Sequence, residues 1–171
     1  MQFKNWKKNI NPKNNDKNYY FLFFFLFWTP ICQGQLLLQK NYFDEQNRRI
    51  ESVISISVND STLEGPYLAY YPNGHKKIEG FYHFNHADSL WSYYHDNNYK
   101  KAVGNFLKNK QHGLWQYYDS SGIKQREVTF NNGLKSGIYK DYHSEEKIKS
   151  SGELLNSKKI GLWKEYNREG L

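Results

Sequence analysis

The side chains of this 171-residue chain that could do chemistry are six histidines, one cysteine, two recurrent glutamates, a set of lysines and many aromatic rings. A metal centre needs several ligands within about 2 Å of one ion, and a glycosidase-type acid/base pair needs two carboxyls within about 10 Å of each other. His83 and His86 flank a turn, His95 and His143 stand 48 residues apart, and Glu79 and Glu127 are separated by the same 48. After residue 34 there is no cysteine nucleophile, no glycine-rich phosphate loop and no His-Glu-x-x-His pair. What these residues can do depends on the elements that carry them.

Those elements repeat. Gly65, Ser89, Gly113, Gly137 and Gly161 are each 24 residues apart, and each opens a similar stretch: GPYLAYY, SLWSYYH, GLWQYYD, GIYKDYH, GLWKEYN. Counting these five as position 1, position 3 is a large aromatic (Tyr67, Trp91, Trp115, Tyr139, Trp163) and position 6 is tyrosine (Tyr70, Tyr94, Tyr118, Tyr142, Tyr166). Turn-formers come next, such as Pro72-Asn73-Gly74 and Ser120-Ser121-Gly122, then a lysine-bearing stretch with Gly80, Gly104, Val128 or Gly152 at position 16. A second polar turn closes the unit, as at Asn131-Asn132-Gly133, where Asn-Gly tolerates the positive φ of a tight hairpin. Strand, turn, strand, turn in 24 residues makes one β-hairpin per unit. Position 3 points to one face and positions 2 and 6 to the other, so both faces carry bulk, and a bulge is one way to accommodate this.

Two strands per unit, at about 4.8 Å each, put residues two units apart roughly 19 Å from one another. His95 and His143 therefore cannot share a metal ion, and Glu79 and Glu127 cannot form an acid/base pair; pairing with neighbouring lysines suits the glutamates better. No catalytic residue, metal or cofactor is expected.

The expected fold is all-β: an elongated, single-layer antiparallel meander of about five 24-residue hairpins. Aromatics make up 18 % of the chain, with fifteen Tyr and five Trp, so rings supply most of the buried surface. Residues 42–60 read as a degenerate first unit, in which Tyr42-Phe43-Asp44 echoes Tyr117-Tyr118-Asp119 and 53–58 alternates with period two. Atypical end units suit an open array, and Lys164 and Glu165 blunt its last edge.

The N-terminus reads as an address. Residues 1–18 are polar and basic, residues 19–28 are an unbroken apolar run, and small residues approach Gly34, the arrangement of a secretory signal peptide. An uncleaved anchor lengthened by Leu36-Leu37-Leu38, a lipid anchor at Cys32 and a buried apolar strand of a cytoplasmic domain are the alternatives, the last opposed by the lysines before the run; the lone cysteine permits no intramolecular disulfide in any compartment. The resulting organisation is 1–34 signal peptide, 35–64 N-terminal segment with the capping repeat, and 65–171 the array. Five lysines against one acid before Gly34 account for +4 of the net +7, leaving a mildly basic array without the concentrated face that nucleic acid demands.

The pattern best seen in Gly113-Leu-Trp-Gln-Tyr-Tyr-Asp-Ser-Ser-Gly122 and Gly65-Pro-Tyr-Leu-Ala-Tyr-Tyr-Pro-Asn-Gly74 resembles the MORN-repeat variant family over roughly residues 42–171. The resemblance implies an elongated, twisted single-layer sheet. Members are often labelled YwqK-like antitoxins, and conventional MORN repeats are associated with lipid contacts and scaffolding. Ser89, Asn98 and Glu145-Glu146 depart from the pattern.

Two features offer binding surfaces. One is the lysine row at positions 12 and 13: Lys76, Lys77, Lys100, Lys101, Lys124 and Lys149. The other is the aromatic stripe of Tyr67, Trp91, Trp115, Tyr139 and Trp163, which is also what a packing ladder looks like. The expectation is an exported, non-enzymatic module that binds a protein or scaffolds an envelope component. Glycan or anionic-lipid binding through the stripe or the row, and an immunity role, are the alternatives. The sequence names neither the partner nor the oligomeric state.

Overall fold

The computed structural model describes residues 20–21, 35–46 and 48–170. The segment 1–34, expected to be a signal peptide, otherwise lies outside the described residues. Every regular element among them is a strand: β1 (Tyr20–Phe21), β2 (Leu36–Tyr42), β3 (Ile50–Ser57), β4 (Leu63–Tyr70), β5 (Lys76–His83), β6 (His86–Tyr94), β7 (Lys100–Leu107), β8 (Lys110–Tyr118), β9 (Lys124–Asn131), β10 (Leu134–Tyr142), β11 (Ile148–Leu155) and β12 (Lys158–Glu165). They form one open sheet in chain order, every pair antiparallel. The meander of consecutive hairpins is what the 24-residue spacing predicts.

A bulge recurs wherever one unit meets the next. Between the pairs Glu79↔Ser92 and Phe81↔Asp88, the single residue Gly80 faces residues 89–91. Gly104 faces 113–115 and Gly152 faces 161–163 in the same way. Each bulge starts at repeat position 1, where the backbone turns left-handed: φ is 70° at Gly113 and 59° even at Ser89. The extra residues let the next side chain, the position 3 tryptophan, fold back over the preceding strand. Trp91 lies on Gly80, Trp115 on Gly104 and Trp163 on Gly152, so closely that a single methyl group on any of these glycines would overlap the indole. Where position 16 carries a side chain, the paired ring is smaller: Val128 with Tyr139, and Ile54 with Tyr67.

This contact builds a core on one face of a single layer. Trp91 is 4 % exposed, Trp115 2 % and Val128 1 %. Phe106 meets Trp115 edge-on at 5.2 Å and Phe130 flanks its other side at 6.2 Å, while Trp91 runs on through Tyr93 at 6.5 Å. Each edge-on ring pair adds about 0.5–1.5 kcal/mol beyond the area it buries. Lys159 closes the last ring, its ammonium 4.1 Å above Trp163.

Both rims are laced from hairpin to hairpin. On one rim the two-residue turns 84–85, 108–109, 132–133 and 156–157 all have both residues at positive φ, as a type I′ turn requires. The second residue of each donates its N–H to the carbonyl of Leu63, Ala87, Gln111 or Lys135 in the hairpin before. Asn85 and Asn109 reply with their side-chain oxygens, accepting the N–H of Leu63 at 2.8 Å and of Ala87 at 2.6 Å. On the other rim Tyr71, His95 and His143 at position 7 each donate to a position 6 carbonyl of the next unit, those of Tyr94, Tyr118 and Tyr166.

The N-terminal unit differs from the sequence-based expectation by one residue. Tyr42 pairs with Ile50 after a bulge, as Tyr118 pairs with Lys124, so Tyr42 takes the place of Tyr118 rather than of Tyr117, and the unit starts in β2 instead of at residue 42. The register is set by the ladder with β3, which local similarity between tyrosines does not report. The departures elsewhere leave the turns intact, for Asn98 and Glu146 adopt the positive φ that glycine supplies in the sister repeats.

Urea unfolding tests both the ring contact and the left-handed turn. Gly104→Val should lose about 1–3 kcal/mol by overpacking, and Trp115→Tyr in the same chain should recover part of that loss, recreating the Val128–Tyr139 pair; strictly additive losses would refute the coupling. Ser89→Gly should raise stability by about 1 kcal/mol by removing left-handed strain; a loss would show that position 1 does not need that conformation.

Candidate functional site

The aromatic stripe is the core of the sheet. Trp91 and Trp115 are buried on both sides by backbone and neighbouring rings, and their Nε1 atoms donate to the carbonyls of Asp88 at 3.1 Å and Asn105 at 3.0 Å. Tyr67, Tyr139 and Trp163 are half-buried members of the same ladder. Burial pushes the phenols of Tyr82 and Tyr93 on this face up to about 12. A sugar stacking on this face would find no free indole at its centre. In the fourth repeat the rings give way to a polar cluster, where Arg126 donates to Asp141 at 2.6 Å beneath Tyr139, whose hydroxyl donates to the same carboxylate at 2.7 Å.

The second face divides into two halves. Next to the longer turns stand the position 6 tyrosines, and here part of the lysine row is already engaged. Lys76 donates to Glu79 at 2.8 Å, Tyr94 donates to the same carboxylate at 3.2 Å, and the Lys76 ammonium sits 5.7 Å from the Tyr94 ring. Two units on, Lys124 and Tyr142 repeat the arrangement around Glu127, both at 2.8 Å, with Gln116 as a further donor at 3.0 Å. Burial alone would raise the Glu127 carboxyl, but these hydrogen bonds outweigh it and hold it at about 2. Lys77 covers the ring of Tyr71 at 5.5 Å, while Lys100, Lys101 and Lys149 project into solvent. The row is thus not a continuous cationic track, because two of its six members are neutralised in place.

The half next to the I′ turns is open and apolar. Position 2, the residue before each ladder ring, is solvent-facing in every unit: Pro66, Leu90 at 57 % exposure, Leu114 at 49 %, Ile138 at 55 % and Leu162 at 77 %. The first four pair with position 17 of their own hairpins, so Pro66 lies beside Phe81, which is also exposed. Phe84, Leu107, Leu134, Leu155 and Ile160 extend the same band toward the turns. These apolar side chains alternate with Asn105, Thr129 and Glu153 at position 17, and exposed apolar side chains recurring in this way mark an interaction surface.

The sequence carries a signal for this row, since position 2 is apolar in every copy. The aromatic residue beside it dominates the pattern and masks it. Among the described residues no three His, Cys, Asp or Glu side chains converge as metal ligands. His95 and His143 are occupied as turn-to-turn donors, and Glu79 and Glu127 sit in separate clusters.

Compared with known proteins, the chain matches no family model and no curated protein. Among solved structures, a likeness to the crystal structure of TarM covers 72 % of this chain and 20 % of that one, at 11 % identity and a TM-score of 0.33. The chain thus spans about a fifth of TarM's length, and a likeness this slight carries no argument about fold detail or activity.

Proposed function

We propose that the chain is an exported, non-enzymatic repeat module that binds another protein or scaffolds an envelope component through the exposed apolar row of Leu90, Leu114, Ile138 and Leu162. The observation that carries this reading is the row itself. These side chains contribute nothing to the aromatic core, yet each unit presents one at the same level of the sheet. Export rests on the basic stretch and apolar run at 1–28.

The test is a photo-crosslinking residue placed at 114 in the full chain in the producing cell. A discrete protein adduct is expected from position 114 and not from Ser120 on the opposite rim. The triple substitution Leu90→Ser, Leu114→Ser and Ile138→Ser should reduce the adduct at least ten-fold when the crosslinker is moved to 162. Because the three sites are half-exposed, each change should move stability by no more than about 0.5 kcal/mol. Equal labelling from 114 and 120 would sink the reading.

A further inference from the structure

The last strand has an open side. Among the described residues β12 pairs with β11 alone, and every residue of it except Trp163 is exposed. Its free edge offers a row of unpaired backbone groups to any strand that fits. What fits can be read from the complete hairpins of the same molecule. In each, the strand that opens the unit takes a regular antiparallel partner from position 1 to position 5, because the bulge at position 1 disturbs only its other side. The partner follows one rule. Opposite position 1 stands a large apolar side chain, Tyr82, Phe106, Phe130 or Leu154, and opposite position 3 a glycine or valine, Gly80, Gly104, Val128 or Gly152.

Read along the chain, a fitting strand is therefore a small residue, any residue, then a large apolar one. β12 itself contains that run, Gly161-Leu162-Trp163. A second β12 laid antiparallel with Leu162 facing Leu162 puts Trp163 of each copy opposite Gly161 of the other, as Phe106 stands opposite Ser89 and Trp91 opposite Gly104. Lys159 of each copy then faces Glu165 of the other, and opposite charges face each other at both ends of the ladder. Neighbouring registers fail. Centred on Gly161, the pairing sets Lys158 against Lys164; centred on Trp163, it sets indole against indole and Glu165 against Gly161. A slip of one residue turns the rings of the two copies to opposite faces. The ring at this edge is also the one left incomplete. Phe106 closes the outer flank of Trp91 at 5.7 Å and Phe130 that of Trp115 at 6.2 Å, whereas Trp163 has Tyr139 on its inner flank at 5.4 Å and, among the described residues, no ring on the outer one.

We propose that two copies of the chain pair through β12 across a two-fold axis at Leu162, joining their sheets into one antiparallel sheet with all the ladder rings on one face. Each Trp163 then closes the open flank of the other, and the charges that bar other registers form two cross-strand ion pairs. The inference stands on the edge of the array and is independent of what the apolar row binds.

Sedimentation velocity of the full chain tests this, and a concentration-dependent equilibrium between monomer and dimer is expected. Glu165→Lys sets lysine against lysine at both ends of the ladder and should weaken the dimer about ten-fold. Adding Lys159→Glu to that variant should restore the affinity to within about three-fold of the unaltered chain. Both side chains are exposed, so the monomer keeps its fold, which circular dichroism checks. The register is read separately, by cross-linking with a short bismaleimide in a chain that carries Cys32→Ser. Leu162→Cys should give a cross-linked dimer in high yield. Lys158→Cys should give little, because eight residues at about 3.4 Å each place it about 27 Å from its counterpart. A chain that is monomeric at every concentration overturns the proposal. So does a dimer indifferent to the charge reversal, one that the charge exchange fails to restore, or one cross-linked equally from 158 and 162.

Discussion

The structure depends on the approach of an indole ring to a stretch of backbone that has no side chain. A sheet of one layer has nothing opposite to pack on, so whatever it buries must be covered by its own neighbours. Glycine at 80, 104 and 152 opens a recess one residue wide, and the tryptophan of the following hairpin lies down in it. That posture requires a bulge, and the bulge requires a residue able to turn left-handed at its start. The rings of Phe106 and Phe130 then close the sides edge-on. Each requirement entails the next, which is why small residue, turning residue and large ring recur at fixed offsets.

The two faces divide the work. Folding consumes the first face entirely and, on the second, the half where Lys76, Glu79 and Tyr94 satisfy one another. Asparagine, tyrosine and histidine tie turn to turn along the rims, and from the remaining half Glu64 and Ser136 accept the N–H groups of Phe84 and Asn156. The position 2 side chains between the tyrosines and the I′ turns take no part in these bonds, and there the apolar row stands.

Much of this architecture was legible from spacing alone. The 24-residue period located every hairpin from Gly65 onward, and Asn131-Asn132-Gly133 marked its turn. The meeting of Lys76 with Glu79 could not be placed by counting, for residues three apart on a regular strand face opposite ways. The bulge at Lys77, where Tyr70 pairs with Lys76 and Ala69 with Ile78, restores them to one side. Lys124 and Glu127 meet for the same reason. The ring-on-glycine contact was hidden differently: Gly104 and Trp115 are 11 residues apart and their complementarity shows only once the register is known. Val128 with Tyr139 was the available clue, a side chain gained at one position and a smaller ring at the other.

Among the described residues each hairpin pairs with the hairpins beside it in an open sheet, and no strand pairing closes the array and fixes how many units it must contain. Such a chain behaves as a one-dimensional lattice, in which order can start at any site and spread, and the ends loosen first. Duplicating or deleting one unit in the gene would leave every remaining bulge, ladder and turn in register. It would change only the length of the exposed track, by about 10 Å per unit. A fold of this kind is a ruler, whose graduations come with its own stability and whose reach can be reset by unequal recombination without redesigning a core.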